Sequence, residues 1–304
     1  MTWPRQSLVF SVALLILIVI IFLTFYQIAW RQSSEVPTVA FADMRRLAPA
    51  GTQRQAFPSY IDFSRKGKER FLYEVRDFWE AEALHTALMD HTEVKCNDIK
   101  GKGSGDGKWN VCMDPAYKPK SPCLVYSFGI ANDFSFDDAL AAMGCNVHAF
   151  DPSMKQGDHK HAEHVWFHNL GVGVNNTDTF SPRKDVYVKD EQKWKIRDVA
   201  TILKELGHEG KTIDILKMDV EGYEFHVIKN MLETGVLDHV RQFLVEYHVF
   251  DENRFKFVEL FKITRELYDA GFRRFFSFRL IYPCPYKYCN QANIGFINTK
   301  FGKK

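Results

Sequence analysis

The segment Ile213-Asp214-Ile215-Leu216-Lys217-Met218-Asp219-Val220-Glu221-Gly222-Tyr223-Glu224 places two carboxylates, Asp219 and Glu221, directly after a short apolar run. Carboxylates delivered together to one spot hold a metal ion, orient a hydroxyl or take its proton. Acidic residues also favour the positive end of a following helix. That simpler reading accounts for Glu224 well and for Asp219 poorly. A second pair, Glu246 and His248, ends another apolar run that begins at Val240. The two alternate, so in a strand both side chains face the same way. With Asp219 they would form a polar cluster facing an acceptor. His248 is the favoured general base because its ordinary pKa lies nearest neutrality. A carboxylate/His metal site is the alternative chemistry, and a surface histidine is the alternative without chemistry.

Two further spots suit a nucleoside-bearing ligand. In Val125-Tyr126-Ser127-Phe128-Gly129-Ile130-Ala131-Asn132-Asp133, a glycine follows an apolar run. A glycine at that turn lets backbone approach a ligand, and the helix that follows offers free N–H groups. Downstream, Asp151 ends the next apolar run in Ala149-Phe150-Asp151-Pro152. An acid there can accept hydrogen bonds from both hydroxyls of an adenosine ribose. Its plain alternative is the first residue of an Asp-Pro turn. The G-x-G-x-x-G pattern of nicotinamide enzymes is absent, which weighs against an oxidoreductase.

Such residues need strands to deliver them. Leu124–Phe128, Cys145–Phe150, Val165–Leu170, Ile213–Met218 and Val240–Tyr247 read as buried strands. Ser135–Met143, Ile196–Leu206, a segment ending at Leu232, and Phe255–Tyr268 read as helices, with Ser135 as a cap and Gly144, Gly207 and Gly271 as stops. Phe272–Ile281 and Ile294–Ile297 would close the sheet as an antiparallel pair. Repeated β-α-β units imply a parallel sheet covered on both faces. Ligands in such a sheet sit beyond the carboxyl ends of the strands, at the switch point.

Residues 213–224 resemble the D-x-L-K-x-D-x-E-G-x-E hallmark of FkbM-type class I S-adenosylmethionine (SAM) dependent methyltransferases. The wider pattern is similar to the eukaryotic methyltransferase-like 24 group. The matching segments are Tyr126-Ser127-Phe128-Gly129 with Asn132-Asp133, Phe150-Asp151-Pro152, the Asp219 segment, and Leu244-Val245-Glu246-Tyr247-His248. The resemblance runs from roughly residue 70 to the C-terminus. It implies an α/β, Rossmann-like, seven-stranded sheet with helices on both faces. It also implies SAM held by Ser127, Phe128, Gly129, Asn132 and Asp151, and methyl transfer to a hydroxyl oxygen. Two departures stand out: Ser127 replaces the usual acidic residue, and Ala131 the usual second glycine. A serine cannot supply the carboxylate that commonly meets the methionine ammonium, so a membrane-tethered binding protein that kept the fold is the rival reading.

The N-terminal region differs in kind. Leu8 to Ile28 contains no charged residue, and about 20 apolar residues cross a bilayer as a helix. Trp3, Tyr26 and Trp30 flank it where aromatics favour the interface. Residues 1–30 are therefore expected to be an uncleaved transmembrane anchor, with the membrane contact at 8–28, and residues 31–63 a stalk punctuated by Pro37, Pro49 and Pro58. Residues 64–123 are expected to pack on the domain as a helix, Arg65–His91, followed by a Cys/Gly-rich loop. Residues 124–304 form the methyltransferase domain. Arg5 before the span and Arg31, Arg45 and Arg46 after it leave orientation open on charge alone. Six cysteines and the sequon Asn175-Asn176-Thr177 favour a luminal body in the Golgi or ER, as a type II protein. A Cys284–Cys289 bridge is expected across the Pro283-Pro285 turn, with Cys145 the free thiol because it starts a buried strand. Gly101, Gly103, Gly105 and Gly107 read as a disulfide-framed surface loop rather than a phosphate cradle. The formal charge of +2 across 304 residues argues against a nucleic-acid binder. Asp219, Glu221, Glu246 and His248 are thus the expected catalytic set, a divalent metal is a possible addition, and the acceptor is an unnamed hydroxyl on a glycan, glycoprotein or lipid.

Overall fold

The computed structural model describes residues 62–64, 85–89, 91–184, 187–249, 255–281 and 290–302. The expected anchor, nearly all of the stalk, most of helix 65–91 and the Cys284–Cys289 pair lie outside them. Residues 85–89 are helical. Among the described residues, no helix is long and apolar enough to cross a membrane.

In chain order the elements are β1 (Ile99–Lys102), β2 (Trp109–Cys112), β3 (Cys123–Phe128), α1 (Ser135–Ala141), β4 (Cys145–Phe150), β5 (His159–Ala162), β6 (Val165–His168), β7 (Gly171–Val172), β8 (Thr177–Phe180) and β9 (Trp194–Arg197). Then follow α2 (Val199–Glu205), β10 (Ile213–Met218), α3 (Glu224–Glu233), β11 (Val240–Val249), α4 (Phe255–Asp269), β12 (Phe272–Ile281) and β13 (Asn290–Asn298).

The main sheet runs β12-β13-β11-β10-β3-β4-β6-β5. Its centre is parallel: β3 pairs with β4 and β10, β4 with β6, and β10 with β11. The β12–β13–β11 end is antiparallel. The sheet is Rossmann-like, with eight strands instead of the expected seven. The extra one, β5, folds back antiparallel on β6. Every residue of β3 and of β10 is buried, as a strand covered on both faces requires. From β3 the chain winds outward through β4 and β6, then crosses back to β10 on β3's other side. The switch point therefore lies between the carboxyl ends of β3 and β10.

Side chains alternate across the sheet. Tyr126, Phe128, Phe150 and Leu216 join α2, α3 and α4 in one core. Val125, Val147, Ile215 and Leu244 join Phe136 and Leu140 of α1 in the other. Trp109 and Val111 of β2 complete that second core. The segment before residue 123, expected to be irregular, is thus a hairpin that supplies part of the interior. On the α2 side, His148, His168 and His208 gather beside Tyr126. His148 Nδ1 and His168 Nε2 lie 3.0 Å apart, and the Tyr126 hydroxyl and His208 Nδ1 lie 2.7 Å apart.

Three expectations need correction. Cys145 is not free. It faces Cys123 in the β3–β4 register and is bonded to it, while Cys96 bonds Cys112 and so frames the glycine-rich hairpin. The helix expected from Ile196 starts at Val199. Ile196 is buried in β9, part of a small β7-β9-β8 sheet, and the Asp198 carboxylate caps α2 by accepting from Thr201 N–H at 2.7 Å. Ser135 is the first residue of α1 rather than its cap. Its N–H is accepted by Asp133 Oδ1 at 2.9 Å.

Candidate active site

At the switch point the turns after β3, β4 and β10 are tied together. Asp219 N–H donates to Phe128 O at 3.1 Å and Gly129 N–H to Phe150 O at 2.9 Å. Gly129 has φ +74°, and a Cβ there would stand 1.6 Å from Asp219 O. Only glycine satisfies both the left-handed backbone and the contact. Asp151, 5% exposed, joins the same knot. Its Oδ2 accepts from Ile130 N at 3.1 Å and Ala131 N at 2.8 Å. Its Oδ1 accepts from Ser153 N at 2.8 Å and Ser153 Oγ at 2.6 Å. A carboxylate offers about four acceptor positions, and the chain itself fills all four. Asp151, expected to meet a ribose, here sets the path of the Gly129 turn.

A cavity of about 350 Å³ opens over this knot, within the range of small-ligand sites. Phe128, Gly129 and Asp151 line one side, Asp219, Glu221 and Tyr223 another, and Val172, Phe180 and Trp194 of the small sheet a third. Arg183, also on the wall, donates from Nη2 to Glu221 O at 3.1 Å. Of the residues expected to hold SAM, Phe128, Gly129 and Asp151 reach the cavity. Ser127 and Asn132 are not on its wall. Ser127 is fully buried on the α1 face. Asn132 is exposed at φ +68° and accepts from Gln156 Nε2 at 3.0 Å.

Behind the Gly129 turn, the buried Lys217 ammonium donates to Phe128 O at 3.3 Å and to Gly129 O, and lies 5.2 Å above the Trp109 ring. Burial raises the Asp137 carboxyl on α1 to about 7, against the opposing pull of Lys217.

The four expected catalytic residues come together, Asp219 and Glu221 on the cavity wall and His248 and Glu246 beside them but not on that wall. His248 Nε2 lies 3.8 Å from Asp219 Oδ1, 3.7 Å from Glu221 Oε2 and 3.6 Å from Glu246 Oε1. On the ring's other side, Glu224 Oε1 stands 2.8 Å from Nδ1 and also accepts from Val220 N and Gly222 N, both at 3.1 Å. One carboxylate therefore orients the imidazole and closes the turn that carries Asp219 and Glu221. Glu221 adopts φ +55° in that turn, a backbone region uncommon for a non-glycine residue.

The electrostatics follow from this crowding. Burial alone would lower the His248 pKa, but Glu224, Asp219 and Glu221 override it and raise it to about 10. That shift favours the imidazolium form, which is a poor base. Burial and then Asp219 push Glu246 to about 7, and burial likewise raises Asp219. Tyr187, on the cavity wall, is raised to about 12 by burial and by Glu221.

Two contributors escaped the sequence reading. Glu224 carried a signal, its place at a helix start, that suggested only a dipole role. Asp106, in the turn of the β1–β2 hairpin, adds its field at Asp219, Glu246 and Tyr187. The hairpin is brought there by Gly107 N–H donating to Asp133 Oδ2 at 3.2 Å and Ser104 N–H to Ser135 Oγ at 3.0 Å. No local pattern marks such a contact.

A parallel-centred sheet, a glycine turn after its first strand at the switch point, and acids ending the neighbouring strands form the frame of a Rossmann-like methyltransferase. A family model described as a methyltransferase domain matches residues 76–289, and the chain belongs to that family. It is 30% identical over 209 residues to the human protein described as probable methyltransferase-like protein 24, covering 62% of this chain and 54% of that relative. The rat counterpart is 31% identical over 147 residues, covering 46% and 38%. The chain thus spans about half the length, or less, of these curated relatives. Among solved structures, methyltransferase FkbM from Methylobacillus flagellatus KT aligns with 76% of this chain and 56% of its own, at 12% identity and a TM-score of 0.36. A putative tRNA (m1A22) methyltransferase from Streptococcus pneumoniae, in complex with S-adenosyl-L-methionine, covers 59% of this chain and 67% of its own, at 10% identity and a TM-score of 0.30.

Proposed function

We propose that the chain is a SAM-dependent methyltransferase that methylates a hydroxyl oxygen. The observation that carries this reading is one cavity with the Gly129 turn on one wall and the Asp219 carboxylate on another. The cavity fits the cofactor in size, and its walls at Phe128, Phe150 and Val172 suit an adenosine better than a phosphate chain. When bound, SAM supplies the methyl: the acceptor oxygen bonds to that carbon while the carbon–sulfur bond breaks and its electron pair stays on sulfur.

The chain's own residues do the rest. The Gly129 turn, held by Asp151 and Lys217, presents backbone to the cofactor. Asp219 faces the acceptor. Glu246 takes the hydroxyl proton, since it stands 3.6 Å from His248 Nε2 on β11 and feels the charge of Asp219. His248 and Glu224 position these carboxylates. The order of events needs only alignment and a proton acceptor.

The acceptor's setting follows from the rest of the chain. The apolar run 8–28 supports a membrane anchor, and the two disulfides support a body in an oxidising compartment. A glycan, glycoprotein or lipid hydroxyl is the corresponding acceptor class. Asn175 of the sequon is exposed in the turn between β7 and β8, so an endoglycosidase-sensitive mass shift lost in Asn175→Gln would support the luminal placement. Digestion of the body by protease in intact microsomes would overturn it.

A second reading, fold without turnover, is favoured by Ser127. Its side chain is buried away from the cavity wall, so it cannot replace the missing acid toward the methionine ammonium. Calorimetry with SAM, followed by transfer of isotopic methyl to solubilised secretory-membrane glycoproteins and lipids, separates the two. Saturable binding with labelled product supports the enzyme. Binding without product from any such fraction supports the tethered binding protein, and no binding sinks both.

A further inference from the structure

We propose that Asp219, Glu221 and His248 form a binding site for one divalent first-row cation of the Mn²⁺ class. It rests on the proposed methyl transfer for its use, since the ion would sit beside the acceptor, but not for its existence.

The imidazole is the key observation. The His248 side chain is 1% exposed, yet it is not packed as an ordinary core ring. Glu224 Oε1 holds Nδ1 at 2.8 Å, which turns Nε2 toward the carboxylates. A carboxylate behind one ring nitrogen is how metal sites fix the tautomer and aim of a ligating histidine. Glu224 Oε1 is itself anchored by two backbone amides, so the carboxylate behind the ring is fixed in place.

The spacing in front of the ring is the second observation. Asp219 Oδ1 and Glu221 Oε2 stand 3.8 and 3.7 Å from Nε2. That is too long for a hydrogen bond. It is close to the separation of neighbouring ligands around one ion with bonds of about 2.1–2.3 Å, which is about 3.0–3.7 Å. One ligand atom from each of the three residues falls within 4.8 Å of the others.

The surroundings agree. Glu246 Oε1, 3.6 Å from Nε2, stays outside the trio as the adjacent proton acceptor. Asp106 adds negative field from the hairpin. Asp219 and Glu221 line the cavity, so an ion has an entry path and room for water or an acceptor oxygen. Two carboxylates with one imidazole suit Mn²⁺ better than Mg²⁺, which prefers oxygen and water.

The test uses the full chain in detergent, stripped with EDTA, dialysed and titrated with MnCl₂ while electron paramagnetic resonance follows free Mn²⁺. One equivalent should bind with saturation. His248→Gln and Asp219→Asn should weaken binding about 100-fold, and Glu224→Gln, which touches no ion, about 10-fold. Asp238→Asn, a surface carboxylate paired with Lys300, should leave it unchanged. If His248→Gln fails to fold by circular dichroism, Glu221→Gln takes its place, since that side chain is 29% exposed. Absence of saturable Mn²⁺ binding, or binding unaffected by the ligand variants, overturns the site. SAM binding measured by calorimetry in EDTA keeps the two readings apart. SAM binding without Mn²⁺ binding removes the ion and leaves the methyltransferase, whereas Mn²⁺ binding without SAM binding does the reverse.

Discussion

Histidines occupy two inner regions of this sheet and are driven in opposite directions. His248, on β11, is raised to about 10, because carboxylates on three sides outweigh its burial. His148, on β4, is lowered to about 3, because burial is compounded by His168, His208 and Lys211. His168 is lowered by burial against the opposing Asp158, and His208 by burial and Lys211. His248 is the more deeply buried, His148, His168 and His208 being half-buried, yet it is the one raised. The neighbours decide the charge, and the acid-ringed histidine stands against Asp219 and Glu221 of the cavity wall.

Removing the acid that creates this contrast should have the largest effect. Glu224→Ala would strip a partner from the His248 ring and from two backbone amides. Breaking such a buried pair costs about 3–5 kcal/mol, read as a shift in the urea midpoint. An unchanged midpoint would show that Glu224 and His248 do not act as a pair. Asp219→Asn probes function instead of stability. Turnover should fall about 100-fold, with SAM affinity and melting temperature near wild type. A melting temperature that falls together with SAM affinity would make Asp219 a mere anchor of its turn.

Asp151→Ala should cost about 1.5–3 kcal/mol through lost hydrogen bonds to a charged acceptor. Because those bonds are to the chain's own turn, stability and SAM affinity should drop together. A loss of affinity with full stability would point instead to direct contact with a ribose.

The half-buried histidine region predicts an effect that appears only through pH. The folded state holds His148 neutral down to about 3, while the unfolded chain takes up its proton near 6.5. Between these values the unfolded state binds more protons. Stability is therefore full above pH 6.5 and is lost as pH falls from there toward 3. The slope for His148 approaches about 1.4 kcal/mol per pH unit. Thermal melts of His148→Gln should show a flatter dependence between pH 6.5 and 5. A parallel curve would mean that the ring is already protonated in the folded protein.

Most of the main sheet was legible because its central strands are buried on both faces and read as unbroken apolar runs. β4, β10 and β12 fall at the expected residues. The carboxylate cluster was legible for a related reason: strand ends and alternation fix where Asp219, Glu246 and His248 emerge. The β7-β9-β8 sheet was not. Its strands are two to four residues long, too short for a period, and Ile196 fell in step with the apolar stripe of the helix that follows. The Cys123–Cys145 bond was missed because a cysteine opening a buried strand looks like packing. Only the β3–β4 register brings its partner opposite. Asp151 shows a different limit. Its position was read correctly, but nothing local reveals how many of its acceptor positions the chain already uses.

That Cys123–Cys145 bond lies at the amino ends of β3 and β4, and the Gly129 turn and Asp151 lie at their carboxyl ends. The two strands are thus riveted at the end far from the cavity, like tongs joined at the handle. Any widening between the jaws must pivot about that rivet and be resisted by the Asp151 carboxylate, which grips the opposite turn. A chain folded without an oxidant would keep the grip and lose the pivot.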